Sequence, residues 1–137
     1  MKRLLLAPFL LILLGGCIKP NVVKLDCSIT KYKEEGKDNY YQLYLWPVEF
    51  EFTLNKRNDS VNAYKVYTEE SWDLDVIVFN DELIKGIHTY VGSSLNITDI
   101  FNINMTTLEI KQETQTVMKN IGSDSIVFKT GECKKIK

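Results

Sequence analysis

From Trp46 to Leu54 the chain alternates strictly. Val48, Phe50, Phe52 and Leu54 are apolar, while Glu49, Glu51 and Thr53 stand between them. A strand places successive side chains on opposite faces, so this period of two predicts an antiparallel strand with one wet face and one buried face. Pro47 cannot donate to a ladder and marks an edge, bend or bulge. Asn55 to Ser60 is a polar turn leading into a second apolar run, Val61 to Thr68, which makes a hairpin the simplest connection.

Other segments repeat the pattern. Trp72 to Phe79 is apolar at every even position, and its odd positions change from Asp73 and Asp75 to Ile77 and Phe79. That predicts a strand half-exposed at its start and buried at its end. Asn80-Asp81 offers a turn, and Ile84 to Val91 reads as the returning strand, with Gly86 a candidate bulge. Phe101, Ile103 and Met105, then Leu108 and Ile110, read as one long strand or a tight pair. Residues 112 to 120 are ambiguous, because Met118 and Ile121 have helical spacing with no sustained stripe before them. The first strand, Val22 to Lys31, puts Val23, Leu25, Cys27 and Ile29 on one face, and the last, Ser125 to Thr130, runs toward Cys133. The expected fold is all-β, an antiparallel barrel or sandwich of about seven to nine strands. A barrel is favoured, because pairing the first and last strands removes two open edges.

At 137 residues the chain has room for one domain. Its 45% hydrophobic and 26% charged content, with 7 Gly and 3 Pro, excludes disordered, collagenous and low-complexity classes. Lys plus Arg is 17 against 18 for Asp plus Glu, so no positive field exists to hold a nucleic-acid backbone. No nucleic-acid partner is expected.

The N-terminus carries an address. Lys2 and Arg3 precede an apolar run from Leu4 to Leu14, which ends in Leu14-Gly15-Gly16-Cys17. As a helix such a run covers roughly 16 Å, about half of a bilayer's ~30 Å hydrocarbon core, too short to span it. Small residues directly before a cysteine let the chain enter a peptidase cleft and leave the thiol open to modification, and the whole stretch resembles the bacterial lipobox. The resemblance implies a signal peptide over 1–16, removed before folding is considered, and lipidation of Cys17, with a diacylglyceryl group on the thiol and an acyl chain such as palmitate on the freed amine. A secretory signal cleaved near Gly16, leaving Cys17 as a spare thiol, is the plainer alternative. Residues 17–21 form an anchor and short linker, and 22–137 a single β-rich domain. Ile18 follows the cysteine in place of an acidic residue, so the expected location is the outer membrane, facing the periplasm. Loss of Lys2 and Arg3 moves the net charge from −1 to −3, which suits a domain tethered beside an anionic membrane without lying on it.

Cys27 and Cys133 remain, one near each end. In an oxidising compartment they have one possible connectivity, closing a loop of about 106 residues for roughly 4 to 5 kcal/mol in the chain-entropy model. Free buried thiols are the alternative. Zinc needs about four ligands, and His88 is the single histidine, so no metal or other cofactor is expected.

No catalytic residue is expected either. Ser93 and Ser94 lie near His88, but no Gly-x-Ser-x-Gly elbow surrounds them. Glu49 with Glu51, and Asp73 with Asp75, are two apart and read as solvated strand faces, with no glycine-bearing calcium loop beside them. The glycosylation triplets at Asn58, Asn96 and Asn104 are coincidences of an Asn-rich chain. Aromatic residues exceed what one buried face requires between Tyr40 and Trp46 and at Trp72. Tyr44, Trp46 and Trp72 are therefore the candidate ligand-binding residues, since amphipathic rings suit an apolar or sugar-like ligand. Core and cross-strand packing is the competing account of those rings.

Ile103-Asn104-Met105-Thr106-Thr107-Leu108-Glu109-Ile110, followed by Thr130-Gly131-Glu132-Cys133-Lys134, resembles small exported proteins of cyanobacteria that carry an INRxTLE-like strand and end in Gly-x-Cys. Met105 stands where such proteins often have Arg. That group has no assigned activity, and the resemblance implies a β-rich fold with a terminal disulfide. The functional expectation is a lipid-anchored, non-enzymatic binding or interaction module of the envelope. Its partners are the membrane through the lipid and either an envelope protein or a small apolar or glycan ligand. A small inhibitor-like or hydrolase domain is the alternative.

Overall fold

The computed structural model describes residues 21–43 and 45–137. The signal segment 1–16, Cys17 with most of the linker, and Tyr44 lie outside the described residues. Ten strands form one antiparallel sheet: β1 (Val22–Glu34), β2 (Tyr41–Gln42), β3 (Val48–Asn55), β4 (Ser60–Lys65), β5 (Glu70–Asp73), β6 (Asp75–Phe79), β7 (Leu83–Val91), β8 (Leu95–Asn104), β9 (Glu109–Met118) and β10 (Ser123–Ile136). Nine of them follow the path β5-β4-β3-β1-β10-β9-β8-β7-β6, and the short β2 pairs with β1 off that path. The two ends of the path, β5 and β6, are consecutive in the chain with only Leu74 between them. The sheet therefore curls round until it nearly closes, a barrel and not a sandwich. Leu74 N–H donates to Val61 C=O at 2.9 Å, continuing the β4 ladder up to the bend.

Residues alternate as the period of two requires. Leu25, Cys27 and Ile29 of β1, Phe50, Phe52 and Leu54 of β3, Val61 and Ala63 of β4, Ile84 of β7, Phe101 and Ile103 of β8 and Ile110 of β9 make the core. Phe101 meets Phe50 and Phe52 edge-on, with centroids 5.3 and 5.4 Å apart, a geometry that aligns ring edges with ring faces. Glu49, Glu51, Asp73 and Asp75 face solvent, as their spacing predicts.

The seam is β1 against β10. Cys27 pairs directly with Cys133 in register, their Cα atoms are 3.9 Å apart, and they are disulfide-bonded. A register shift between Ile29 and Lys31 bends β1 there. Gly131 sits opposite, and an added Cβ would lie 2.6 Å from the Ile29 Cα and closer still to the Ser28 carbonyl oxygen. Only glycine allows the strands to approach so closely.

Three expectations need correction. Ile77 is 55% exposed, so the strand does not end buried on both faces. The cause is a bulge, which lies at Ile77 and not at Gly86: Val76 pairs with Gly86 and Val78 with Lys85, leaving Ile77 as the extra residue, turned outward. Gly86 is in regular register with Phe101, and its missing side chain makes room for Leu74, whose Cβ and Cδ1 would be 2.9 Å from any Cβ there. The strand read over Val61 to Thr68 stops at Lys65, because Glu69 takes a left-handed φ of 55° in the turn that follows. The ambiguous stretch 112–120 is strand to Met118, held by β8 on one side and β10 on the other. The turn between β8 and β9, which makes them a tight pair, is built by Asn104: its side-chain oxygen accepts from the N–H groups of Thr106 and Thr107 at 2.9 Å each.

Candidate functional site

The interior changes character along the barrel axis. One row of cross-strand neighbours reads Ile84, Ile103, Ile110, Gly131, Ile29. Two residues further along, the row is Gly86, Phe101, Gln112, Lys129, Tyr32, and two further still it is His88, Asp99, Thr114, Val127. The first row lies toward the end of the barrel where β1 begins. The polar rows lie toward the opposite end, among the 66–69, 92–94 and 119–122 turns, which will be called the mouth.

Asp99 and Gln112 are only 7% and 4% exposed. Gln112 Nε2 donates to Asp99 Oδ1 at 2.8 Å, and Thr114 Oγ1 donates to the same oxygen at 2.7 Å. Lys129 Nζ in turn donates to Thr114 Oγ1 at 3.3 Å. Burial pushes the Lys129 ammonium below the ordinary lysine value; Asp99 opposes that shift and nearby Lys65 adds to it. Two buried polar atoms find no partner, His88 Nδ1 and Gln112 Oε1. Asn96 Oδ1, on β8 near the mouth, is a third.

A hollow of about 280 Å³ opens above this network, lined by Lys65, Glu70, Trp72, His88, Tyr90, Ile97 and Asp99. Trp72 is its aromatic wall. The indole stacks on the His88 imidazole, centroids 4.2 Å apart and planes within 6°, and leans on Phe50 at 6.1 Å. His88 is thus more than an ordinary strand histidine, since it covers one indole face while Nδ1 stays without a partner. Glu70 stands exposed at the rim, accepting from Thr68 Oγ1 at 2.8 Å.

The structure separates the candidate aromatics. Trp72 lines the hollow, whereas Trp46 lies outside the barrel, 75% exposed, in a shallow groove of about 320 Å³ formed with Pro47, Val48, Lys65 and Tyr67. Lys65 alone borders both. Tyr40 and Tyr41 are also exposed near the mouth, where Tyr41 packs on Tyr32 with centroids 5.7 Å apart and Lys33 Nζ sits 5.1 Å over the Tyr40 ring. Tyr40, Tyr41 and Trp46 therefore decorate the mouth's outer surface.

Sequence reasoning missed Asp99, Gln112, Thr114, Lys65 and Lys129. A signal was present: the inward positions of β8 and β9 go from Ile103 to Asp99 and from Ile110 to Gln112, interrupting the apolar alternation. Among the described residues no group of three or more His, Cys, Asp or Glu side chains is placed to hold a metal ion, and no helix is long and apolar enough to cross a membrane. Compared with family models, curated proteins and solved structures, the chain finds no match.

Proposed function

We propose that this chain is a lipid-anchored protein of the bacterial envelope that binds a small ligand at the mouth of its barrel and is not itself an enzyme. The observation that carries the reading is the hollow lined by Trp72, His88, Asp99 and Lys65 beside the apolar core. Burying polar groups without partners costs about 1 to 3 kcal/mol each. His88, which lines the hollow, bears that cost at Nδ1 in the free protein, and a bound molecule would relieve it. A concave site with an aromatic wall and a few convergent polar groups is the usual form of a small-molecule site. Asp99 Oδ1 is engaged by two neutral donors and His88 lies flat on Trp72, an arrangement that favours binding over proton transfer to a nucleophile.

The lipobox at Leu14 to Cys17 supports the anchor. Four residues separate Cys17 from Val22, a reach of roughly 17 Å when extended, and β1 begins at the end of the barrel opposite the mouth. The mouth lies at the far end of strands such as the eight-residue β3, about 27 Å long at ~3.4 Å per residue. A tether at Cys17 would hold the end where β1 begins near lipid and turn the hollow beside Trp72 toward the aqueous side. A second reading, contact with a protein such as the target of an inhibitor-like domain, is favoured by the exposed Leu45, Trp46 and Tyr67.

The chain has two tryptophans, so Trp46→Phe leaves Trp72 as the sole indole reporter. Titrating that variant with a panel of sugars and small apolar compounds should change its fluorescence, and Trp72→Ala should abolish binding by calorimetry with far-UV circular dichroism intact. Binding that survives Trp72→Ala and vanishes in a Trp46→Ala, Tyr67→Ala variant would transfer the function to the outer groove. Mass spectrometry of protein extracted from its own membrane tests the anchor: a lipidated Cys17 N-terminus is expected, and an intact Met1 or an unmodified mature chain would refute it.

A further inference from the structure

We infer that a second hollow, at the end where β1 begins, takes one acyl chain of an anionic phospholipid from the membrane beside it, with Lys135 at the phosphate. The inference rests on the anchor reading above and names what the tethered end touches.

This hollow exists because the strands end unevenly. β10 makes its last pair with β9 at Glu132 and Glu109, yet it runs on beside β1 as far as Ile136, opposite Lys24. From Lys134 onward it has a strand on one side only among the described residues, and a space of about 460 Å³ lies between this overhang, Asn80 and Asp81 of one turn and Met105 of another. Its walls are the buried Leu54 and Ile84, the half-buried Phe79 and Met105, and the exposed Val22 and Ile136. The volume falls within the range of small-ligand sites, roughly 300 to 1,000 Å³. A lipid tail that moves from the bilayer into this space exchanges one apolar surrounding for another. The tail gains little, but the walls lose their contact with water, so the exchange is driven by the apolar wall area that it covers.

Charge selects the headgroup. Lys56, Asp81 and Lys135 are the charged side chains that line the space. Lys56 Nζ lies 3.2 Å from Asp81 Oδ1, whereas Lys135 makes no ion pair within 4.0 Å among the described residues. Lys135 stands opposite Leu25 of the inward row, so its stem borders the apolar space while its ammonium stays in water. A phosphate there would accept a charge-assisted hydrogen bond. Nearby, Lys134 is paired with Asp26, and Lys24 and Arg57 are matched in number by Asp59 and Glu82. The surplus at this end is therefore positive in a mature domain of net −3, and an anionic surface attracts the end while it repels the domain as a whole. Position supplies the lipid. Lys56 N–H donates to Asn21 C=O at 2.7 Å, which fixes Asn21 at the rim. Three residues separate Asn21 from Cys17, a reach of roughly 14 Å when extended. A lipidated Cys17 would hold the hollow within that distance of the bilayer, where the effective concentration of phospholipid fills even a weak site.

The test places a single indole in the hollow: Phe79→Trp in a full chain that also carries Trp46→Phe and Trp72→Phe. Ile136→Trp, at the exposed rim, is the second reporter should Phe79→Trp fail to fold. The lipidated protein is put into phosphatidylcholine vesicles that contain either phosphatidylglycerol or phosphatidylcholine brominated at mid-chain. Brominated phosphatidylglycerol should quench the reporter at about one-fifth of the mole fraction that brominated phosphatidylcholine needs, as expected for one lysine at an anionic headgroup. Lys135→Gln should erase that difference with the circular dichroism spectrum retained. Equal quenching by the two lipids in the parent would overturn the anionic headgroup. Equal quenching of a Lys24→Trp reporter, which faces outward beside the hollow, would mean general contact with the surface and overturn the site. Absence of quenching would overturn it too: a reporter open to acrylamide then means a water-filled hollow, and one closed to acrylamide means that the linker or the anchor's own acyl chain fills it. Flotation of the vesicles reads the anchor separately, because a protein that floats without quenching keeps its tether and loses its lipid site. If Cys17 carries no lipid, the same reporters are titrated with monomeric dihexanoyl phosphatidylglycerol, which should still change the fluorescence and bind about fivefold tighter than dihexanoyl phosphatidylcholine; no change would remove the site along with the anchor.

Discussion

The two ends of this barrel obey different rules. Toward the start of β1 the interior is apolar, built from Leu25, Ile29, Phe52, Leu54, Ile84, Ile103 and Ile110, with the disulfide tying the seam and a hollow of about 460 Å³ at its outer edge. At the mouth the same strands turn Asp99, Gln112, Thr114, Lys129 and His88 inward, and two of those residues carry atoms with no partner. A barrel built only for stability would extend the apolar layer to its full height, since each additional buried CH₂ is worth about 0.8 kcal/mol. The contrast places the apolar core in one half of the sheet and a buried polar cluster in the other, on strands that run through both.

Breaking the apolar half should have the largest consequence. The bridge joins residues 106 apart, so Cys27→Ala with Cys133→Ala is expected to cost about 4 to 5 kcal/mol in urea unfolding, by the loop-closure estimate. A loss below about 1 kcal/mol would mean that the β1–β10 ladder closes the barrel unaided. Next comes Phe101→Ala, which empties the space between Phe50 and Phe52 and should cost about 3 to 5 kcal/mol. Trp72→Ala sits at the boundary: half-buried against Phe50 and His88, it should cost less than Phe101→Ala, about 1 to 3 kcal/mol, while removing ligand binding altogether.

Lys129 sharpens the comparison through pH. Its value in the fold lies below the ordinary 10.5, first because of burial and then because of Lys65, with Asp99 opposing. The unfolded chain keeps that proton up to about 10.5, whereas the folded chain releases it earlier, so this residue makes stability rise as pH climbs through its folded value toward the unfolded one. Lys129→Met removes the effect. The stability of the parent minus that of the variant should therefore increase from neutral pH toward 10 in parallel urea titrations, and a flat difference would show that Lys129 is as well solvated as a surface lysine. The smallest effect belongs outside the mouth. Trp46 and Tyr67 are 75% and 84% exposed, so replacing either by Ala should change stability by no more than about 0.5 kcal/mol.

Much of the apolar half could be read directly from the chain. The alternation of Val48 to Leu54, the one-sided pattern of β1 and the pair of terminal cysteines together predicted strands, a seam and a bridge, because period two and cysteine count are local properties that burial merely enforces. The bulge at Ile77 could not be read, since Gly86 looked like the local irregularity and the actual one depends on where Leu74 must fit against it. Ring counting could not say that Trp46 stands outside the barrel, beside Tyr67 and Lys65.

The sequence by itself determined the strand-forming pattern and the covalent partners Cys27 and Cys133. Each is carried by residues close together or by a type of residue too scarce to pair in another way. Only the tertiary structure decided that Trp72 and Trp46 serve different hollows, and that Lys65, His88, Asp99, Gln112 and Lys129, drawn from five different strands, converge at one mouth. Such convergence depends on register and on the curl of the sheet, which no stretch of chain specifies alone: a polar residue at an inward position reads as a surface residue until the neighbouring strands are paired around it.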